Sequence, residues 1–229
     1  MIHTTGILLA VLLAAYLLGS ISGSLLLGRW RGIDIRASGS GNAGGTNALR
    51  TQGWWFALLV VLIDIGKGVL AVLLLPHWPG AAGSTLQVWL PAAAGMAAMA
   101  GHVWPLYFGF RGGKGMATMA GIAAVMMPGP GVLVLPLWLL LVLTTGYVGL
   151  ASIAAGLALP LLWLGWHGRE LFAQPAEHLP ELLFAALAAV FVLWTHRSNI
   201  RRLRQGSEHR FQRLRLLRRG QAASSRDQQ

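Results

Sequence analysis

The chain has no cysteine, which removes disulfides, thiolate nucleophiles and thiolate-ligated zinc or iron–sulfur centres. Charge is nearly as scarce. Asp, Glu, Lys and Arg make up 11% of the 229 residues, under half of the roughly 25% usual in soluble globular proteins. So few charges cannot cover a water-facing surface of this size. Disorder is excluded from the other side, because hydrophobic residues reach 55% and only apolar-poor chains stay open. Carboxylates are far outnumbered, 7 against 18 Lys and Arg, for a formal charge of +11. Residues 1–18 contain no Lys or Arg at all, whereas a secretory signal needs a positive start; Arg29 and Arg31 come after the first apolar run and mark it as a retained helix. What remains is an integral membrane protein.

A helix needs about 20 apolar residues to cross the hydrocarbon. Runs near 5–28, 54–76, 84–104, 115–128, 131–146, 148–166 and 179–195 predict an all-α, polytopic fold with seven transmembrane helices. Pro128-Gly129-Pro130-Gly131 reads as a tight turn between the two shortest runs. Residues 1–211 form one membrane domain and 212–229 a basic tail. Ten arginines lie between Arg197 and Arg226, and further positive charge lies in 29–53 and 105–114. Even numbers of crossings separate these three segments, so they share one face. The positive-inside rule makes that face cytoplasmic, with the N-terminus and the acidic 167–178 stretch outside. Trp30, Trp54, Trp55, Trp78, Trp104, Trp166 and Trp194 fall at or near run ends, where interfacial anchors belong.

The polar residues concentrate in three segments on that face. In the first, Gly39-Ser40-Gly41-Asn42-Ala43-Gly44 fits G-x-G-x-x-G, but the dinucleotide fingerprint needs a βαβ unit and here apolar runs flank it. A plain surface loop would not gather glycines with Ser38, Ser40, Thr46, Asn42, Asn47 and Arg50; backbone N–H groups, hydroxyls, amides and a guanidinium together suit an anion. The second, Gly109-Phe110-Arg111-Gly112-Gly113-Lys114-Gly115, fails the P-loop pattern at Phe108 and Gly115. Its physics survives, since a Gly-rich turn with Lys114 opening a helix offers free N–H groups to a phosphate. The third is His196-Arg197-Ser198-Asn199, with His196 and Asn199 on one helical face; His196 reads equally as a structural hydrogen-bonder.

Inside the second run Asp64 and Lys67 sit three apart, either bracing one another or meeting substrate, and His102 reads as a core hydrogen-bonder. The later arginines interleave with leucines and suit anionic lipid headgroups. No aromatic platform accompanies them, so nucleic acid is not an expected partner. There is no nucleophile beside a His and an acid, no His-x4-Asp pair, and no His-and-carboxylate set at metal spacing. No metal or cofactor is expected, and the chemistry must rest on positioning phosphates. A transporter would need polar residues through the midplane, which the runs lack apart from Asp64 and Lys67.

These motifs, in this order, resemble the acyl-phosphate:glycerol-3-phosphate acyltransferase family of bacterial inner membranes. The resemblance rests on Gly19-Ser20-Ile21 with Gly28, Asp34-Ile35-Arg36, Gly39 to Asn47 with Arg50, Asp64 with Lys67-Gly68, Gly101-His102 with Pro105, Phe110 to Gly115 with Ala117-Thr118, and His196-Arg197 with Asn199-Ile200, Arg202-Leu203, Gly206 and Glu208. Ser22, Gly45, Met116 and Thr195 depart from the usual pattern. The resemblance implies seven spans and transfer of a fatty acyl group from acyl phosphate to the 1-hydroxyl of glycerol 3-phosphate, giving lysophosphatidate and inorganic phosphate. It implies catalytic roles for Ser40, Arg50, Lys114, His196 and Asn199. Gly39, Gly41, Asn42, Thr46, Asn47, Lys67, Arg111, Gly112, Gly113, Gly115 and Thr118 are then expected at the substrates. Without an evident protein base, a substrate phosphate is expected to take the hydroxyl proton.

Overall fold

The computed structural model describes residues 2–77 and 87–211, with side chains from Thr5 onward. The Trp78 anchor, the start of the 84–104 run and the tail 212–229 lie outside the described residues. Among those described there is no strand. The helices are α1 (Ile2–Gly19), α2 (Gly23–Trp30), α3 (Gly45–Gln52), α4 (Trp54–Leu74), α5 (Leu90–Val103), α6 (Met116–Met126), α7 (Pro128–Thr145), α8 (Val148–Ala173), α9 (Pro175–Thr195) and α10 (Arg197–Arg204). Helices satisfy every backbone polar group within one segment, as lipid demands, and are one of the two structures, with closed barrels, that can span it.

The apolar runs and the helices agree in position but not in every length. Trp54–His77, α7, α8 and α9 are long and apolar enough to cross a membrane, and the α1–α2 pair makes a fifth when its 50° bend is counted within one span. The runs at 84–104 and 115–128 yield helices of 14 and 11 residues among the described residues. α5 begins only after a 3-10 turn at Gln87–Trp89 and stops at Trp104, where Pro105 disfavours helical backbone. α6 starts at Met116 after Gly115 at φ 82° and ends before Met127. The proline–glycine stretch is a correction to the expected turn. The break is Met127 alone, at φ −140°, and Pro128 already stands in the first turn of α7, where a missing N–H costs nothing.

The unexpected bend in the first run arises at Gly19-Ser20-Ile21-Ser22-Gly23. The Ser20 hydroxyl donates to the Tyr16 carbonyl at 2.8 Å and accepts from the Leu106 N–H at 3.2 Å. A Cβ on Gly19 would lie 2.2 Å from the Ala98 carbonyl oxygen of α5, so only glycine permits the approach. Small residues do the same where α4 crosses α6: Gly68 meets the Thr118 carbonyl and Gly121 the Ile65 carbonyl. Such contacts are the usual means of close helix packing in membranes. The largest buried cluster, including Met99, Met119, Ile122, Leu159, Trp163 and Phe184, joins α5, α6, α8 and α9. Leu62, Leu135, Leu161 and Leu187 point outward and exposed, as lipid-facing side chains do.

A closed ionic cluster braces the bend. Lys67 Nζ lies 2.9 Å from Asp64 Oδ1 and 2.8 Å from His102 Nδ1, and donates to the Ile21 carbonyl at 2.9 Å. Asp64 also accepts from the Gly23 N–H at 3.1 Å. All three side chains are no more than 3% exposed. The cluster ties α4 and α5 to the backbone on both sides of the α1–α2 break, which is the bracing arrangement.

Candidate active site

The first polar segment is built around Asn47 of α3. Its side-chain oxygen accepts from the Ser40 N–H at 2.8 Å, and its nitrogen donates to the carbonyls of Ile35 at 2.9 Å and Ser38 at 3.0 Å. The amide is fully committed inside the protein. Gly39, at φ 63°, passes so close to Asn47 that a Cβ would sit 2.2 Å from its oxygen. Gly39 and Asn47 therefore shape the loop, while Ser40, Asn42 and Thr46 stand half-buried along it and Gly41 is exposed. Arg36 links this segment to the next. Its guanidinium pairs with Asp34 at 2.8 Å and donates to the carbonyls of Phe108 at 3.0 Å and Arg111 at 2.9 Å. The hydrogen-bonded Arg36 holds the Asp34 carboxyl below its ordinary range.

The second segment leaves α5, turns over at Gly109 and Phe110, and runs back along the helix end. The N–H groups of Gly112 and Gly113 donate to the carbonyls of Val103 at 3.0 Å and His102 at 3.1 Å. Gly113 threads between two walls: a Cβ there would lie 2.1 Å from His102 Nε2 and 2.5 Å from the Ala43 carbonyl. The positive φ at Gly115 then opens α6, leaving Lys114 at the junction.

The third segment completes the site. α9 ends at Thr195, and His196 is the break before α10. Thr195 donates to the Lys114 carbonyl at 3.2 Å, and His196 Nδ1 donates to the Val192 carbonyl at 2.9 Å. Lys114 Nζ donates to the side-chain oxygen of Asn199. The Asn199 nitrogen donates to Glu208 Oε1 at 2.7 Å, and Glu208 Oε2 accepts from Arg202 Nε at 2.7 Å. Gly149 of α8 leaves room for this chain; a Cβ there would come within 2.5 Å of Asn199. Burial, reinforced by the Arg202 charge and opposed by Glu208, pushes the Lys114 ammonium down to about 8. Burial and the neighbouring Lys114 charge push His196 down to about 4. At neutral pH that imidazole is uncharged, its Nδ1 carries the proton given to Val192, and Nε2 is left as an acceptor.

The chain after α10 folds back as a strap. Arg210 donates to the Thr145 carbonyl at 2.9 Å and stacks over Tyr147 at 5.0 Å, and the Phe211 N–H donates to the Gly146 carbonyl at 2.9 Å. Arg50 reaches this strap from α3, its guanidinium 5.3 Å from the Phe211 ring centroid.

The three segments converge on a cleft of about 450 Å³. Of the expected site residues, Asn42, Arg111, Gly112, Gly113 and Lys114 line it, joined by Thr195, Arg197, Ser198 and Arg201. Asn199 joins through Lys114. His196 is buried beside the lining, 3% exposed, and Ser40, Arg50, Gly39, Gly41, Thr46, Asn47 and Gly115 do not line the cleft. Lys67 belongs to the closed cluster and Thr118 is fully buried in the α4–α6 contact, its hydroxyl without a hydrogen-bond partner. Trp104 and Trp194 add an aromatic wall, ring centroids 5.3 Å apart, with Arg197 4.3 Å from the Trp194 ring centroid. The sequence reading gave no role to Arg36, Gly149 or Glu208. Nor did it find a metal-type set, yet His167, Glu170 and His178 bring ligand atoms within 4.8 Å of one another.

With this geometry in place, the comparisons decide the family. The family model for glycerol-3-phosphate acyltransferase matches residues 9–206. The chain belongs to that family. A glycerol-3-phosphate acyltransferase of Pelodictyon phaeoclathratiforme is 40% identical over 225 residues, covering 89% of this chain and 96% of the relative. One from Chlorobaculum tepidum is also 40% identical, over 221 residues, covering 88% and 95%. Among solved structures, the glycerol 3-phosphate form of PlsY (YgiH), an integral membrane glycerol 3-phosphate acyltransferase, superposes with a TM-score of 0.76 at 34% identity, covering 92% of this chain and 98% of that one. Its lysophosphatidic acid form gives 0.74 at 33% identity with the same coverage. The acyltransferase family thus accounts for nearly the whole chain, and the helices match those of an integral membrane protein.

Proposed function

We propose that this chain transfers a fatty acyl group from acyl phosphate to the 1-hydroxyl of glycerol 3-phosphate, releasing lysophosphatidate and inorganic phosphate. The observation that carries the reading is the convergence of three Gly- and Arg-rich segments on one cleft, with Lys114 seated at its edge against Asn199. Both substrates carry phosphate, and Lys114, Arg111, Arg197 and Arg201 supply the charge to hold them. The Trp104–Trp194 wall suits an acyl chain entering from the bilayer. The membrane is the bacterial inner membrane, with the cleft on the cytoplasmic face and the N-terminus outside, following the positive charge of the three segments.

In the reaction the glycerol hydroxyl oxygen bonds to the acyl carbonyl carbon, and the carbon–oxygen bond to the phosphoryl group breaks from the tetrahedral intermediate. Lys114 and the Asn42 amide, which line the cleft, stabilise the oxyanion, an effect worth roughly 2.7–4 kcal/mol for a single donor in other acyl transfers. The proton goes to a substrate phosphate. His196 is too weak a base to take it: burial and Lys114 hold it near 4, whereas a phosphate monoester has a second pKa of about 6. The imidazole instead fixes the α9–α10 break through Val192. The test is to supply glycerol 3-phosphate with acyl phosphate, acyl-CoA or acyl carrier protein thioester in turn. Lysophosphatidate is expected from acyl phosphate alone; formation from either thioester at a comparable rate would contradict the donor assignment.

A further inference from the structure

The α8–α9 turn holds a cluster that acyl transfer does not use. His167 and Glu170 are three apart on α8, where side chains share a face, and His178 comes in from α9. Their ligand atoms lie within 4.8 Å of one another. The two imidazoles are nearly parallel, 22° between planes and 5.6 Å between centroids, and both sit against the buried Trp163 ring. Trp163 is itself fixed, its indole N–H donating to Glu181 at 2.8 Å. Nδ1 of His178 is enclosed and has no hydrogen-bond partner. An orphaned polar atom of this kind calls for a missing partner. His167 Nδ1 already faces the Glu170 carboxylate.

The donor chemistry narrows what that partner is. Two imidazoles and one carboxylate are a three-ligand set for Zn²⁺ with a fourth position open to water, whereas Ca²⁺ and Mg²⁺ take oxygen ligands. A tetrahedral site with bonds of about 2.0 Å needs its ligand atoms roughly 3.3 Å apart. Glu170, which touches His167 Nδ1 more closely than that, must therefore draw back slightly while His178 closes in, and with its side chain 57% exposed Glu170 is free to move. We propose that His167, Glu170 and His178 bind one divalent transition-metal ion of the Zn²⁺ type and clamp the end of α8 to the start of α9. The site is separate from catalysis. His178 and His196 are eighteen positions apart along α9 and the residue after it, about 27 Å at ~1.5 Å per residue.

The test uses the full-length, tag-free protein in detergent, titrated with Co²⁺ and then with Zn²⁺. One equivalent of Co²⁺ is expected to give the visible ligand-field bands of a four-coordinate site, and Zn²⁺ should bleach them. His167→Gln and His178→Gln should each weaken binding by at least about tenfold, and Glu170→Gln by less. His77→Gln should change nothing. Zn²⁺ should raise the Tm of wild type but not of the His178→Gln protein. Two results overturn the proposal: no stoichiometric binding by wild type, or binding that survives in the His167→Gln/His178→Gln double variant. Because either single substitution can be read alone, poor assembly of one leaves the other as the deciding variant.

Discussion

Two ionic clusters, both built on a lysine among glycines, have opposite fates in this molecule. Lys67 is closed off: Asp64, His102 and the Ile21 carbonyl take its ammonium, and its side chain is 3% exposed. Lys114 stands at the edge of a cleft, paired with a neutral amide, and its nearest carboxylate, Glu208, is one step removed and shared with Arg202. A charge that is balanced within the fold can only brace. A charge left partly uncompensated beside a cavity is available to an anion. Ionisable residues in membrane proteins are functional by default, and here the distinguishing observation is whether internal partners saturate them.

The sharpest way to break this contrast is to remove each lysine's function separately. Lys114→Ala should nearly abolish turnover while the protein still inserts and folds. A lost charge-assisted contact is worth roughly 1.5–3 kcal/mol, about 10- to 150-fold in affinity, and more if the charge also serves the transition state. Arg50→Ala should approach the same loss. Steady-state kinetics on purified variants would show it: near wild-type rates in Lys114→Ala would undo the phosphate assignment, and in Arg50→Ala they would undo the catalytic role the resemblance implies for Arg50. Asp64→Ala should act on stability instead. Removing one member of a buried pair costs about 3–5 kcal/mol, read as a lower Tm and less assembled protein, with the rate per folded molecule largely kept.

A smaller effect sharpens the account of Lys114. With the free-enzyme ammonium near 8, the phosphate-binding charge is present below that pH and lost as pH rises through it. The kcat/KM profile should therefore fall on its basic side near pH 8. Lys114→Arg should lower the rate, since a guanidinium does not fit a point-charge seat, but move the basic limb upward by several units, because arginine stays charged beyond pH 12.

Legibility from sequence followed the range of the signal. The long helices α4, α7, α8 and α9 were readable because each is one uninterrupted apolar run. The α1–α2 bend was not, since Ser20 and Ser22 are small enough to leave the run looking continuous and the cause is packing on α5 and α4. Asp64 and Lys67 could be paired by their spacing, but His102 joins from 35 positions away. The glycines and Lys114 pointed to an anion site by residue type alone, which is the reading proposed above. What they could not announce is that Asn47 is consumed within its own loop, or that Glu208 doubles back to orient Asn199. His167 and Glu170 had helical spacing in plain view, yet His178 reaches them only across the α8–α9 turn.

The central claim is that the cleft positions phosphates and that no protein side chain acts as the base. It is tested most directly by the pH dependence of kcat/KM in wild type and His196→Ala, measured on the same acyl phosphate. The account predicts an acidic limb near pH 6, set by substrate phosphate, that persists in a slower His196→Ala enzyme because His196, held near 4, is already neutral there. Disappearance of that limb together with the imidazole would contradict it and make His196 the general base.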